Sequence, residues 1–345
     1  MTQLELLLPF AMPPGEMARD LLRELKMPSL AMLLARASRS THQVFDGFSR
    51  ALPHEYWLTR QFDPDNSPAL ATSAMRSFNL PAETGVWFIL QPVHLHISRD
   101  HLVLTDTRQL QLSESDARAL FDIVQPLFDE VGKTLVYGDA QTWFMRADDW
   151  HTLHTSTSDA ACGHNIDIWM PKGPHERDWR RLQNEIQMHW HAHAINEQRE
   201  ASGLKPINSV WLSGGAEAKK TSDTNTKFEE AFTFLNGRNP SAALANKQIS
   251  ITSVADILNA KPQHGLLVLD DLIAPALAGD WSEWLMRFQS MEELWFEPLL
   301  KALQNGQLDK LAITISHNTA YSTFAISKSS LRKFWCKPTL ARLAS

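Results

Sequence analysis

Residues 265–269 read Gly-Leu-Leu-Val-Leu and residues 310–315 read Lys-Leu-Ala-Ile-Thr-Ile, two apolar runs of strand length. A helical pattern over residues 281–304 lies between them. Before them, residues 248–252 are typical of a strand and residues 253–260 of a helix. Strands that alternate with helices in this way predict a mostly parallel sheet with crossover helices. The carboxyl-terminal half of the chain is therefore expected to be α/β.

Three other segments of this half have weaker patterns. Residues 227–236 are expected to form a helix, and Tyr321 to Ile326 an edge strand of the sheet. The polar residues 216–226 are expected to form a disordered loop.

The middle of the chain has hairpins in place of this alternation. Alternating or apolar runs around turn residues predict one hairpin over residues 93–105 and another over residues 134–145. One long helix is expected over residues 178–202, ended by Gly203. These elements predict an α+β domain over residues 86–208, inserted into an α/β core that residues 1–85 and 209–345 form together.

The composition limits the classes of function. The chain has 345 residues and a net charge of -6, which argues against a broad electrostatic surface for nucleic acid. Its two cysteines, Cys162 and Cys336, exclude a disulfide scaffold and a cysteine zinc cluster. The amino terminus lacks the pattern of a signal peptide, and no apolar run is long enough to span a membrane. We therefore expect a cytoplasmic protein with no membrane partner.

A motif over residues 193–214 is the most specific signal in the sequence. It resembles a stretch of the archaeal-type cofactor-independent phosphoglycerate mutases, in which His-Pro-Val-Asn is followed by Arg, Gly, Pro-Ala-Asn and Ile-Trp-Leu-Trp-Gly. Ala194 and Ser213 depart from that pattern. The positions in register are His193, Asn196, Arg199, Gly203, Pro206, Asn208, Trp211, Leu212 and Gly214. The resemblance implies an alkaline-phosphatase-like core split by an inserted α+β domain, the layout that the residue patterns also predict.

Further segments resemble an uncharacterised proteobacterial family, whose members are labelled phosphoglycerate mutase-like or RpfE-type regulatory proteins. They include Pro92-Val-His-Leu, Gln183-Asn-Glu-Ile-Gln-Met and Leu267-Val-Leu-Asp-Asp-Leu-Ile-Ala-Pro-Ala. This resemblance covers nearly the full length and implies a regulatory role.

The mutases of this kind use a serine nucleophile and two divalent metals, and this chain departs from their pattern. The first strand ends in Leu8-Pro9-Phe10-Ala11 without a carboxylate, and residues 40–85 lack the Gly-Ser-Asp motif. The remaining candidate ligands are Asp270, Asp271 and Asp280, too few for a two-metal site. We therefore expect a degenerate core and no cofactor, with a single divalent cation such as Mn²⁺ or Zn²⁺ as the alternative.

The candidate ligand-binding residues come from the motif and are His193, Asn196, Arg199, Asn208 and Trp211. Arg199 could bind a carboxylate or phosphate through two hydrogen bonds. Arg199 and Asn208 could equally join the helix end to the following strand through main-chain carbonyls. Both interpretations remain open at this point.

Two other constellations invite a chemical interpretation. On a continuous helix, His189 and His193 would share a face, which is a possible metal geometry. Cys162 lies near His164, and a Cys/His pair can form a nucleophile. Structural roles are the simpler expectation for both.

Three hypotheses follow. The first is a non-catalytic relative of the mutases that binds a small phosphorylated or carboxylate metabolite, or a partner protein, in a regulatory role. The second is an active metal-dependent phosphomutase or phosphotransferase, with ligands drawn from Asp270, Asp271, Asp280 and the polar loop 151–167. The third is a protein or nucleic-acid interaction module, for which Lys328, Arg332, Lys333, Lys337 and Arg342 form the candidate basic patch.

Overall fold

The computed structural model describes residues 3–62, 70–82, 84–218, 233–235 and 247–344. Its strands are β1 (Gln3–Leu8), β2 (Arg39–Val44), β3 (Val86–Val93), β4 (Leu95–Ser98), β5 (His101–Leu104), β6 (Thr134–Asp139), β7 (Thr142–Arg146), β8 (Ser209–Glu217), β9 (Thr233–Leu235), β10 (Lys247–Ile249), β11 (His264–Val268), β12 (Lys310–Ser316) and β13 (Ala320–Ser327). Its α-helices are α1 (Gly15–Glu24), α2 (Pro28–Ala35), α3 (Pro53–Phe62), α4 (Ala71–Ser77), α5 (Glu114–Glu130), α6 (Ser158–Ala161), α7 (Ile166–Trp169), α8 (Glu176–His191), α9 (Ala194–Ala201), α10 (Val254–Ala260), α11 (Ile273–Ala278), α12 (Trp281–Met291) and α13 (Glu297–Asn305).

The chain divides into two compact units. The first comprises Met1–Gly47, Leu52–Asp63 and Asn225–Ser345, and the second comprises Phe48–Ala51 and Pro64–Thr224. The first unit thus combines segments from both ends of the sequence. The chain is thus mixed α/β, with one sheet in each unit and a separate two-stranded hairpin.

The first unit contains a seven-stranded sheet in the order β10-β9-β11-β1-β12-β13-β2. The first five strands of this order are parallel, β13 runs antiparallel to β12, and β2 pairs antiparallel with β13 and so runs in the direction of the first five. Leu6, Leu7 and Leu8 on β1 are fully buried, as expected for a central strand covered on both faces. The predicted strand–helix alternation is confirmed for β11, β12 and the helices between them.

Some predicted elements of this unit differ from the structure. The sequence pattern predicts a helix over 227–236, whereas residues 233–235 form a strand, because they pair between β10 and β11 in the sheet. The other residues of that predicted helix, and residues 219–226 of the predicted polar loop, lie outside the described residues. Strand β13 is not an edge strand, since β2 pairs along its outer side.

The predicted helix over 281–304 is interrupted by a π-helical turn, Glu292–Phe296, between α12 and α13. Pro298 follows in the first turn of α13 and lacks the N–H that a regular helix would use there, so the wider turn accommodates it. The turn also buries Glu292, whose carboxylate accepts hydrogen bonds from Ser29 N at 2.6 Å and Leu30 N at 3.3 Å. These bonds satisfy the open amide groups at the start of α2.

The second unit contains an antiparallel four-stranded sheet in the order β6-β7-β3-β8. The two predicted hairpins are confirmed as β4–β5 and β6–β7. Strand β8 pairs with β3 from Val93↔Ser209 to Val86↔Glu217, so it belongs to this sheet. The sequence pattern instead predicts that residues 209–217 belong to the α/β core. The prediction differs from the structure because a buried strand pattern does not reveal which sheet the strand joins.

The predicted helix over 178–202 is two helices, α8 and α9, separated at Ala192 and His193. His193 has an extended backbone (φ -86°, ψ 139°), and its Nδ1 accepts a hydrogen bond from Ile195 N at 3.3 Å. His193 therefore caps α9 as its first flanking residue. The interpretation that His189 and His193 share one helix face is wrong.

Candidate functional site

Asn196 and Arg199 lie together on α9 and face the link that leads into β8. Asn196 is 3% exposed, and its Nδ2 donates to Trp190 O at 2.9 Å and to Ile207 O at 2.8 Å. Its Oδ1 accepts from Ile207 N at 2.8 Å. Each polar atom of this amide is thus bonded to buried main chain.

Arg199 is equally buried and reaches two carbonyl groups of different segments. Its Nε donates to Lys205 O at 3.0 Å and one terminal nitrogen, Nη2, donates to Leu110 O. The other terminal nitrogen, Nη1, lies 3.6 Å from Asp116 Oδ2. Burial lowers the pKa of the guanidinium, and the charge of Asp116 opposes that effect. The side chain joins α9, α5 and the link before β8.

Asn208, Trp211 and His193 complete the set taken from the motif. Asn208 pairs with the main chain of Leu95 through two hydrogen bonds of 2.8 Å. Trp211 is 1% exposed on β8, and its Nε1 donates to Ser156 O at 2.9 Å. His193 caps α9 as described. The structure brings Asn196, Arg199 and Asn208 around the same link, whereas Trp211 contacts a different segment.

A groove of about 700 Å³ lies beside these residues in the second unit. Helix α8 forms one side, and its lining residues recur at the spacing of one helix face. Amide, imidazole and apolar groups line the groove, which suits an uncharged or amphipathic ligand better than an anion. The lining residues are Leu95, Leu102, Asn184, Gln187, Met188, His191 and Asn208.

Ligands of open α/β sheets bind beyond the carboxyl ends of the parallel strands. In the first unit, buried side chains cover the ends of β1 and β12, whereas exposed carboxylates follow β11. Phe10, Ala11 and Met12 follow β1 and are at most 5% exposed. Trp284 of α12 is fully buried, and its Nε1 donates to Phe10 O at 2.9 Å. We call Phe10, Ala11, Met12 and Trp284 the apolar cover.

The apolar cover is also tied to the end of β12. Phe10 N donates to Ser316 Oγ at 3.4 Å, and Met12 N donates to Ser316 O at 3.1 Å. The ring of His54 meets Phe10 edge to face, with centroids 5.8 Å apart. The sequence shows that the segment around Phe10 lacks the carboxylate expected after the first strand. No pattern in the sequence predicts that Trp284 contacts Phe10.

The candidate metal ligands lie after β11 and at α12. Asp270 and Asp271 are exposed directly beyond β11. Asp280 caps α12, and its Oδ1 accepts from Glu283 N at 2.9 Å. Within the described residues, no group of three or more His, Cys, Asp or Glu side chains is placed to hold a metal ion. The residues at this edge do not fit a two-metal centre, which needs many carboxylate and imidazole ligands.

Cys162 and His164 occupy different surroundings in the second unit. Cys162 is buried, and burial with the nearby carboxylates of Asp106 and Asp159 raises the pKa of its thiol to about 12. His164 lies against the ring of Trp169, with centroids 6.0 Å apart. A thiol with so high a pKa is a poor nucleophile near neutral pH.

The comparison with solved structures concerns the fold. The chain is similar to the PH0037 protein of Pyrococcus horikoshii, with a TM-score of 0.55 and 10% identity over 94% of this chain and 87% of that chain. The two chains share a fold. The chain is also similar to the cofactor-independent phosphoglycerate mutase of Thermoplasma acidophilum, with a TM-score of 0.47 and 12% identity over 100% of this chain and 94% of that one.

Comparisons of the sequence give no match. No protein-family profile and no curated protein matches the chain. The membership in the proteobacterial RpfE-type family therefore stays a prediction. Among the residues that the structure describes, no helix is long and apolar enough to cross a membrane.

Proposed function

We propose that this chain is a non-catalytic relative of the cofactor-independent phosphoglycerate mutases that acts by binding, in a regulatory role. The observation that carries the proposal is the apolar cover at the carboxyl ends of the parallel strands. Phosphoryl transfer on two metals requires ligating side chains and an open cleft at that edge. Here Phe10, Ala11, Met12 and Trp284 fill the end of β1, where they supply no ligand and exclude water, and only Asp270 and Asp271 follow the neighbouring strand β11.

The motif residues support a structural role within the same proposal. The polar atoms of Asn196 and Asn208, and two of the three guanidinium nitrogens of Arg199, are occupied by main-chain groups. An incoming anion would have to displace these buried bonds, at a cost of about 1–3 kcal/mol for each group left unsatisfied. We therefore assign a structural role to Asn196, Arg199, Asn208 and Trp211, and we favour a partner protein over a small anionic metabolite as the ligand of this chain.

The second hypothesis is an active phosphotransferase, which requires metal ligands at the same edge of the sheet. It would require Asp270, Asp271 and Asp280 to act as ligands. Asp280 Oδ1 instead satisfies an amide at the start of α12, which is the ordinary role of a capping carboxylate.

The experiment is a turnover assay with 2- and 3-phosphoglycerate, in the presence of Mn²⁺, Zn²⁺ or Mg²⁺. A known cofactor-independent phosphoglycerate mutase serves as the positive control. We expect no turnover above the buffer rate with any metal. Metal-dependent turnover in the usual enzymatic range of about 1–1000 s⁻¹ would contradict the proposal. In that case the Asp270→Asn, Asp271→Asn double variant would test the second hypothesis directly.

A further inference from the structure

Two large aromatic side chains lie side by side on an exposed turn of the first unit. Phe334 and Trp335 are 82% and 67% exposed, and their ring centroids are 5.2 Å apart. The chain is anchored on both sides of the turn, because Leu331 and Leu343 are buried. Two neighbouring apolar rings held outward in this way mark an interaction surface.

The charge of this region is opposite in sign to that of the whole chain. Residues 310–345 contain no Asp or Glu, although the net charge of the chain is -6. Arg332 and Lys337, which flank the aromatic pair, are exposed. The cations of this region are Lys310, Lys328, Arg332, Lys333, Lys337 and Arg342. An anionic partner therefore complements the surface.

The turn packs beside the start of β2. Lys333 Nζ donates to Ala37 O at 2.8 Å, and Arg36 Nη1 donates to Leu331 O at 2.8 Å. A cavity of about 220 Å³ adjoins the same segment and is lined by Ser40, Thr41, His42, Ser322, Phe324 and Arg342. The guanidinium of Arg342 lies 5.6 Å from the ring centre of Phe324. Guanidinium and hydroxyl groups are donors that suit a phosphate.

We propose that this surface binds anionic phospholipid membranes from one side. Phe334 and Trp335 enter the interface, Arg332 and Lys337 meet anionic headgroups, and the cavity with Arg342 holds one headgroup phosphate. Aromatic rings with flanking cations are the composition of peripheral membrane anchors. Binding of this kind needs no membrane-spanning helix.

The shape of the surface favours a lipid bilayer over nucleic acid. Single-stranded nucleic acid binds in a basic groove in which successive bases stack on aromatic rings. Here the two rings lie on a turn and meet at an interplanar angle of 80°, so they do not form one stacking platform. A turn that projects its rings can enter a bilayer interface directly.

The test is co-sedimentation of the full chain with phosphatidylcholine vesicles, alone or mixed with phosphatidylglycerol. We expect binding to the mixed vesicles only, and loss of binding as salt is raised. The Phe334→Ser, Trp335→Ser double variant should bind at least about tenfold more weakly, and Lys337→Glu at least about fivefold. Arg342→Gln should weaken binding to the mixed vesicles, and free glycerol 3-phosphate should compete poorly. Ile97→Ser is the matched control, because Ile97 is an exposed apolar residue (77%) of the second unit.

Each alternative has a distinct result. Equal binding by the double variant and the wild type, or no binding to the mixed vesicles, would overturn the proposal. Tight binding of an oligothymidine that the double variant loses, without vesicle binding, would assign the surface to nucleic acid. A strong thermal shift with glycerol 3-phosphate that Arg342→Gln abolishes, without vesicle binding, would assign the cavity to a free phosphate. All variants are exposed or half-buried, so circular dichroism should show unchanged folding.

Discussion

Asn208 and Leu95 form a side-chain-to-backbone pair that extends the pairing of β3 and β8. Leu95 N donates to Asn208 Oδ1 and Asn208 Nδ2 donates to Leu95 O, both at 2.8 Å. Asn208 N in turn donates to Val93 O at 3.1 Å. The amide thus takes the place of a strand residue opposite Leu95, where the chain leaves the sheet for the β4–β5 hairpin.

Asn208→Ala should destabilise the second unit by about 2 kcal/mol, because it removes both bonds and leaves main-chain groups of Leu95 unsatisfied. Urea unfolding and hydrogen exchange at Leu95 measure the change. Asn184→Ala is the matched control, since it removes an exposed amide from the same groove and should change stability little. Equal stability of Asn208→Ala and Asn184→Ala would contradict the structural role.

Arg199→Lys separates a structural role from anion recognition. Lysine keeps the positive charge but lacks the planar guanidinium, whose separate nitrogens donate to Lys205 O and Leu110 O. We expect a loss of about 2 kcal/mol in unfolding free energy and no change in the thermal response to phosphoglycerate. If the variant unfolds like the wild type but loses a phosphoglycerate-dependent shift, Arg199 belongs to an anion site.

Trp284→Phe tests the apolar cover. The change removes the donor to Phe10 O in a buried setting, so unfolding free energy should fall by about 2 kcal/mol. Trp281→Phe on the same helix is the control, because Trp281 is half-buried and its truncation should cost less. Thermal unfolding of the two variants measures the difference. A larger loss in Trp281→Phe would show that the cover contributes little to the fold.

Glu5 gives a pH-dependent prediction. It lies on the central strand β1, and burial raises the pKa of its carboxyl above the ordinary value. The ionised form is therefore disfavoured in the folded state, so its contribution to stability falls as pH rises through the raised pKa. Glu5→Gln should be more stable than the wild type near pH 7, and the difference should vanish in acid. Unfolding curves across that pH range would refute the prediction if the two proteins differ by a constant amount.

The two cysteines should react at different rates. The pKa of the Cys162 thiol is raised to about 12, so almost no thiolate exists near pH 8, and the side chain is buried. Cys336 is half-buried. Iodoacetamide at that pH should modify Cys336 first, and Cys162 only after unfolding, as followed by peptide mass spectrometry. Rapid labelling of Cys162 in the folded chain would reopen its role as a nucleophile.

Helices of this fold could be predicted where the side-chain periodicity and the capping residues indicate the same helix start. Ser113 caps α5 through Asp116 N, and Ser253 forms a capping box with Asp256 at α10, as short-range chemistry predicts. The break between α8 and α9 was missed because Ala192 and His193 do not interrupt a helical pattern. The extended backbone at His193 follows from packing, where Asn196 and Arg199 bind the link before β8.

Residue patterns alone were enough to predict the α/β alternation, both hairpins and the absence of a carboxylate after β1, because periodicity and residue type are local properties. Long-range packing places β8 in the antiparallel sheet and Trp284 over Phe10, and neither could be predicted from residue patterns. The same packing brings Asn196 and Arg199 within hydrogen-bond distance of main-chain carbonyls. An amide or guanidinium can bind a ligand or a carbonyl equally well, and only the folded chain fixes which acceptor lies within hydrogen-bond distance.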